Sequence, residues 1–491
     1  MAPQPHCMGA LAAEANVRAP LIPWLHRMIE QVEIDAKSEE LGVHVSHVQR
    51  DYVFGWLLAG LFEPTNPLAR RLSLKGGNAF RKAYFANARY SNDLDFSVQT
   101  DLSDHDLRES VARACAFAGE RSGVDFAVSE PKIGSRASAD PDARMYQARV
   151  YFRSFYGDDE ATIRVDLDVK EFDRVLLPVQ SRSLIHAYSD AASCTATLQC
   201  HKLEELLASK LVAMLHRQHS PDLFDFVHSV FFQKHLDVNR RQILTTFLKK
   251  TIYEASPQVA KGLLLDLPFA MLRGFWDEYL VCPKDNVISF DAAEEGFRSS
   301  IGELFALLAP QPAPAWAGAG AAGPTYFGGN HRSTIMEAGR LQRVIRMVYD
   351  GFERRVEPYA LVFKRRKDGS AHEYFYGWDL SGGRSGEVGI KSFFANKVVS
   401  ARITDETFDP KYPIELIKGS STGYFARSSF ASSPTRASRR TTGAFGVRYR
   451  IECPYCGKQF TRNGMDTKLN DHKDRYGNKC FGRIGFVAGM A

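Results

Sequence analysis

No stretch of this chain is apolar for long. The longest such run, Val53–Phe62, has ten residues, about half of the ~20 that a membrane-spanning helix needs. The opening residues, MAPQPHCMGALAAEANVRAP, lack both a basic start and a continuous apolar core, so no secretory leader is read there. Cysteine is scarce, eight in 491 residues, and Cys7, Cys115, Cys194, Cys200 and Cys282 are scattered. That spacing excludes a small disulfide-stapled fold. No internal repeat is found. The expectation is a chain that works in the reducing cytoplasm, without a membrane partner.

Net positive charge is missing from the first two thirds. Residues 331–491 hold 29 Lys and Arg against 16 Asp and Glu, a net +13. The whole chain is only +6, so residues 1–330 are at −7. An acidic body with a basic C-terminal third is expected to meet a polyanion through that third.

The length leaves room for several domains, and two compositional breaks suggest where they part. Pro310–Pro324 is uncharged and made almost wholly of Pro, Ala and Gly; Gly419–Gly443 is rich in Ser, Thr, Gly and Arg. Linkers have such compositions. The expected organisation is a first domain at 1–308, a linker at 309–330, a second unit at 331–418, a connector at 419–449 and a terminal unit at 450–491. In the first domain, Ser46 is placed to cap a helix through Leu61, and Ser103 one over Asp104–Arg121. Leu72–Lys75, Leu94–Val98, Met145–Phe152 and Thr162–Val169 alternate as strands do. Helices dominate from His201 to Leu308. The fold class is α+β, a small mixed sheet followed by a helical region.

The chemistry concentrates in LKGGNAFRKAYFANARYSNDLDF, residues 74–96. A strand that ends in Lys75-Gly76-Gly77 and passes into a helix presents backbone N–H groups with no Cβ in the way, a place for phosphate. Asp93 and Asp95 share one face of the following strand, because side chains alternate with period two. Leu94 and Phe96 take the other face, into a core. Two carboxylates so close repel unless a cation lies between them, and hard oxygen ligands suit Mg²⁺ with nucleotide phosphates. Ile163–Val169 alternates in the same way and places Asp166 and Asp168 on one face. Were that strand a neighbour, three carboxylates would converge on a metal pair about 4 Å apart.

This order of Gly-Gly, Asp-hydrophobic-Asp and a distant strand aspartate resembles the polymerase-β-type nucleotidyltransferase superfamily. Within it the chain resembles the AbiEii/AbiGii toxin family, through four stretches. They are the helix at Gln49–Leu58, Leu74–Gly77, Arg89–Phe96, and the run from Glu204 to Asp225. The last holds Lys210, Ala213, Arg217, Asp222 and Asp225 at the family's spacing, with Pro221 where the family has an arginine. The resemblance implies a polymerase-β-like sheet with a helical region, and a reaction that moves a nucleoside monophosphate from an NTP to an acceptor. It implies Lys75, Gly76, Gly77, Asn78, Ser91, Lys210 and Arg217 around the triphosphate. Mg²⁺ would be held by Asp93, Asp95 and Asp166, with Asp168 the alternative to the last. Lys210 would meet a phosphate and Asp222 would act as base or positioning group. The implied acceptor is RNA, with the 3′ end of a tRNA as one candidate. The implied setting is a toxin–antitoxin or phage-defence system with a cognate antitoxin. The alternative is a nucleic-acid-binding regulator on an inactive transferase fold.

Past residue 330 two further units are expected. Glu357–Ser370, Glu373–Asp379, Ile390–Phe394 and Val398–Thr404 alternate as strands, with Lys367–Gly369 at a hairpin turn. They resemble a WYL-type small β-barrel, although the Trp-Tyr-Leu triplet is absent and Tyr376-Gly-Trp378 is the nearest sequence. At the end, Cys453-Pro-Tyr-Cys456, fifteen residues, His472, seven residues and Cys480 make a closed donor set for structural Zn²⁺. It resembles a zinc finger whose last ligand is cysteine, with Arg462, Lys468, Lys473 and Arg475 available to nucleic acid.

Overall fold

The computed structural model describes residues 29–156, 162–233, 236–308, 324–366, 369–383 and 386–416. Of the terminal stretch it describes 449–453, 456, 458–462, 469–474, 479–480 and 486–490. Most of the expected linker (309–323), nearly all of the connector (through 448), the turn residues Lys367 and Asp368, and Lys468 and Arg475 lie outside the described residues.

Helix α1 spans Gln31–Leu41 and α2 spans Val45–Leu61. The cap of α2 falls on His44, whose ring accepts from the Ser46 backbone N–H at 3.2 Å. Ser46 was the expected cap, but it lies inside the first turn and its hydroxyl hydrogen-bonds the His44 ring instead, at 2.9 Å. From His47 to Leu61 every residue of α2 is buried, Gln49, Arg50 and Asp51 included. A helix apolar on nearly all sides can only run through a core, and this one does.

Strand β1 is Ser73–Lys75, and the four-residue helix α3, Gly76–Ala79, follows at once and widens into a π turn at Phe80–Tyr84. Then come β2 (Asp93–Val98) and α4 (Asp104–Ser122), the latter capped by Ser103 as expected, with the hydroxyl accepting from Asp106 N at 3.0 Å. Strands β3 (Lys132–Ser135), β4 (Met145–Arg153), β5 (Thr162–Glu171), β6 (Gln180–Ser183) and β7 (Thr197–Cys200) complete a mixed seven-stranded sheet in the order β3-β4-β5-β2-β1-β7-β6. The neighbours β2 and β5 run parallel. α2 and α4 pack together and against this sheet. A Cβ on Gly60 of α2 would meet the Ala114 backbone of α4 at 2.8 Å, so the close crossing needs that glycine. The helical region comprises α5 (Leu203–His216), α6 (Ser220–Val227), α7 (Arg240–Lys250), α8 (Pro257–Leu265), α9 (Phe269–Gly274), α10 (Trp276–Tyr279) and α11 (Phe290–Ala306). It shares one hydrophobic core with the sheet. The α+β expectation holds for this part.

Helix α12 (Gly329–Leu341) packs on a second sheet built from β8 (Arg343–Tyr349), β9 (Phe352–Arg365), β10 (Ala371–Asp379), β11 (Gly389–Phe394) and β12 (Val398–Thr407). Its order is β11-β10-β9-β8-β12, antiparallel throughout. The expected closed barrel is not what forms: β11 and β12 are the two edges, and no ladder joins them. Only Ala395–Lys397 connects them, a reach of about 14 Å at most. A flat five-stranded sheet would set its edges about 19 Å apart. The sheet therefore curls but stays open.

This second sheet is anchored on the first region by a buried arginine. Arg332 of α12 places Nη1 2.7 Å from both oxygens of Glu373, and its Nη2 donates to the Leu215 carbonyl. That carbonyl is one of the unpaired acceptors at the C-terminus of α5. The His216 ring lies 4.2 Å from the Phe363 ring, and Lys364 Nζ lies 2.6 Å from Asp140 Oδ1. The terminal stretch forms a three-stranded sheet from β13 (Tyr449–Glu452), β14 (Gln459–Arg462) and β17 (Phe486–Met490), and a hairpin from β15 (His472–Lys473) and β16 (Lys479–Cys480). Among the described residues no helix is long and apolar enough to cross a membrane.

Candidate active site

The parallel register of β2 and β5 sets Asp93 beside Asp166 and Asp95 beside Asp168. Alternation puts all four on one face, away from the side that buries Leu94, Phe96, Val165 and Leu167. Carboxylate oxygens of Asp93, Asp95 and Asp168 lie within 4.8 Å of one another. Asp166 is not in that group. It turns to Arg164 Nη2 at 3.2 Å and Arg149 Nε at 3.9 Å. Of the two strand acids that the sequence left open, Asp168 is therefore the one that converges with Asp93 and Asp95, although Asp166 was favoured.

Asp168 is only 8% exposed and takes hydrogen bonds from Arg136 Nη1 and Gln147 Nε2, each at 3.0 Å. Burial, joined by the charges of Asp95 and Asp93, pushes its carboxyl up to about 6, against the pull of Arg136. Three oxygen donors this close, one of them reluctant to ionise beside the others, fit a hard divalent cation such as Mg²⁺.

The two glycines also allow a close approach within the protein. Gly76 has φ +69°, and a Cβ there would overlap Asp95 Oδ2. A Cβ on Gly77 would stand 2.7 Å from Ser91 Oγ and 2.9 Å from Arg89 Nη2. Both absences let the start of α3 press onto β2 beside the acids. Ser91 Oγ donates to Asp93 Oδ1 at 2.9 Å, and Asn78 Nδ2 to the Asp93 carbonyl at 2.6 Å. Two site residues thus hold Asp93 in place. Lys75 pairs in register with Asp95, but its Nζ ends on Asp173 Oδ2 at 2.6 Å. Replacing Gly76 by alanine is expected to lower turnover on the order of 100-fold, the scale of a misplaced ligand support, with the chain still folded by circular dichroism. Wild-type turnover in that variant would show the close approach to be dispensable.

Lys210 on α5 and Asp222 and Asp225 on α6 form a buried cluster. Lys210 Nζ lies 2.9 Å from Asp222 Oδ1 and 2.7 Å from Asp225 Oδ2. Arg217, just past α5, reaches Asp222 with Nε at 2.8 Å and Nη2 at 3.1 Å. Arg89 takes Asp225 in a fork, at 2.7 and 2.8 Å. Three cations against two carboxylates leave the cluster one positive charge in excess. The charge of Asp93 favours the charged forms of Arg217 and Arg89. Burial opposes the charge on Asp222, but Arg217 and Lys210 outweigh it and hold the carboxyl well below the usual range. A carboxylate held so is a poor proton acceptor. Of its two expected roles, positioning fits. Pro221 stands in the first turn of α6, where a missing N–H costs nothing.

Sequence reasoning gave no role to Arg89 or Asp225 and did not name Arg136 or Gln147. The first two stood inside the quoted motifs, in the R-x-S and D-x-x-D spacings. The last two left no local signal.

Three carboxylates on one face of a mixed sheet, with a buried cationic cluster near by, suit an enzyme that positions phosphates and offsets their charge; with the family match that follows, the class is nucleotidyltransferase. Comparison with known proteins adds what the chain is similar to. Residues 57–280 match the family model described as nucleotidyl transferase AbiEii toxin, type IV TA system. The match takes in the Gly-Gly turn, β2, β5 and the helical signature, and ends before α12. No curated protein sequence matches the chain. Among solved structures, MenT4, a nucleotidyltransferase toxin from Mycobacterium tuberculosis H37Rv, is similar at 18% identity over 56% of this chain and 90% of its own, with a TM-score of 0.34. JHP933 from Helicobacter pylori is similar at 15% identity over 52% of this chain and 91% of its own, with a TM-score of 0.32. Both scores are too low to bear on function.

Proposed function

We propose that this chain is a Mg²⁺-dependent nucleotidyltransferase that moves a nucleoside monophosphate from an NTP onto RNA, and the toxin of a type IV toxin–antitoxin pair. One observation carries the reading: the convergence of Asp93, Asp95 and Asp168 within 4.8 Å. In the reaction an acceptor hydroxyl oxygen bonds to the α-phosphorus and gives its proton to solvent, the bond from that phosphorus to the oxygen bridging to the β-phosphorus breaks, and pyrophosphate leaves. A divalent cation held by the three aspartates supplies charge neutralisation at the reacting phosphate. The Gly76–Gly77 turn with Asn78 and Ser91 seats the phosphates beside β2. Lys210 and Arg217, aimed by Asp222, offset the charge that gathers on the leaving pyrophosphate. The basic C-terminal third fits an RNA acceptor, and the setting is cytoplasmic with a cognate antitoxin as partner. The register of Asp166 and Asp168 on Asp93 and Asp95 supports this reading over an inactive sensor, in which those acids need not meet.

The test is incubation of the purified chain with Mg²⁺, total RNA and each labelled NTP in turn, beside Asp93→Asn. Label is expected in RNA with one or a few NTPs, and in the variant only about 1/1,000 of it or less, the scale of a lost transition-state contact. Label at the same level with Asp93→Asn, or none from any NTP onto RNA, would overturn the reading.

A further inference from the structure

Among the described residues the transferase site leaves one cluster of strong donors unused. Sγ atoms of Cys453, Cys456 and Cys480 and a ring nitrogen of His472 all lie within 4.8 Å of one another. Cys453 Sγ is 3.6 Å from Cys480 Sγ, and Cys456 Sγ is 3.4 Å from His472 Nε2. A tetrahedral Zn²⁺ with Zn–S and Zn–N bonds of ordinary length has ligand–ligand edges of about 3.5–3.8 Å. Both separations are near that edge.

The surroundings are built for such a site. His472 Nδ1 lies 2.8 Å from the Asn470 carbonyl. Donation of an N–H there fixes the tautomer that leaves Nε2 as the ligand, a support that metal-bound histidines usually have. The Cys453 N–H donates to the Lys458 carbonyl at 2.9 Å and closes the first knuckle. β15 and β16 pair His472 directly with Cys480 and so hold the other two ligands opposite each other. Among the described residues the apolar cluster holds, besides the cysteines, Leu469, 2% exposed, and Phe460, whose ring lies 5.0 Å from the His472 ring. In small folds of this kind metal binding contributes directly to folding.

The hairpin also touches the transferase region. Asp474, two residues past His472, places Oδ2 3.9 Å from Arg50 Nη2. The Arg50 side chain is 2% exposed, and its Nε donates to the Arg164 carbonyl of β5 at 3.3 Å. That is the strand that carries Asp166 and Asp168.

We infer that Cys453, Cys456, His472 and Cys480 form a closed structural Zn²⁺ site whose occupation seats the terminal module on the transferase region at Arg50. Binding converts three thiols to thiolates and releases three protons to solvent. The neutral imidazole completes the set and leaves the centre at net −1.

The test begins with the metal content of the purified full chain, expected at about one zinc per chain. Cys453→Ser and Cys480→Ser should fall below a tenth of that, while Asp93→Asn keeps its zinc. That last result separates this site from the fate of the transferase reading. Co²⁺ exchanged into the unaltered chain should give tetrahedral d–d bands with thiolate-to-cobalt charge transfer, so the site is readable even where a cysteine variant fails to fold. Absence of zinc together with absence of that spectrum would overturn the site, as would full zinc in both serine variants. For the seating, Asp474→Lys should keep its zinc but raise hydrogen exchange over His44–Tyr52 several-fold. Chelation of zinc from the unaltered chain should do the same. Unchanged protection in both would overturn it.

Discussion

Asp168→Asn is expected to lower nucleotide transfer on the order of 1,000-fold, the loss that follows removal of one stabilising group aimed at a developing charge. Asp166→Asn, on the same strand and the same face, is expected to cost only about 10- to 100-fold, the scale for a group that orients ligands from behind. The contrast follows from where the two side chains go. Asp168 converges with Asp93 and Asp95, whereas Asp166 turns to Arg164 and Arg149. Initial rates at saturating Mg²⁺ and NTP measure both. The two variants should also differ in metal response: Asp168→Asn should need much more Mg²⁺ for half-maximal rate, and Asp166→Asn little more than the wild type. If Asp166→Asn proves the deeper lesion, with the larger Mg²⁺ demand, the assignment of the third acid is reversed.

The largest loss of stability is expected at Asp51. This α2 carboxylate lies 2.7 Å from Arg81 Nε and 2.9 Å from Lys82 Nζ, and accepts from the Tyr188 hydroxyl at 2.9 Å, with every partner buried. Asp51→Ala would strand two buried cations and cost about 3–5 kcal/mol. For a unit of this size that is a fall in Tm on the order of 10 °C. The double variant Asp51→Leu, Lys82→Met should recover part of it, since one stranded charge is then gone. Burial works against Asp51, but Arg81 and Lys82 hold its carboxyl far below the ordinary range. A carboxyl depressed in the folded state contributes stability that is fully present above its unfolded value, about 3.9, and is lost as pH falls toward the folded one. Urea unfolding from pH 7 down to pH 3 should therefore show an acid limb that is shallower in Asp51→Asn. Equal slopes would remove Asp51 from that account. Because Arg81 and Lys82 sit in the π turn that follows α3, the same substitution should also slow turnover.

The acid face was readable before any coordinates because it rests on a local rule: alternation fixes which side Asp93 and Asp95 share. The choice between Asp166 and Asp168 obeys no such rule. Both satisfy alternation, and what separates them is the cations around each: Arg136 on Asp168, and on Asp166 both Arg149 from β4 and Arg164 from β5 itself. The second sheet repeats the lesson. Its strands were legible one by one, but closure depends on whether β11 and β12 find each other, and no strand carries that information in its own sequence. The same holds for the cap of α2, where His44 and Ser46 both offer side-chain acceptors and the backbone path decides. Arg332 left no trace at all, since an arginine in the first turns of a helix is ordinary and its partners Glu373 and Leu215 lie far off along the chain.

That arginine has a consequence in time. A ribosome makes a chain from the N-terminus at about 5–20 residues per second, and early segments fold as they emerge. The triad strands and the Lys210 cluster are therefore complete while α12 is still unmade. Until Arg332 arrives, the end of α5 keeps a bare carbonyl at Leu215, two residues before Arg217. A nascent chain thus carries the transferase acids and the Lys210 cluster before it carries the arginine that satisfies the end of α5.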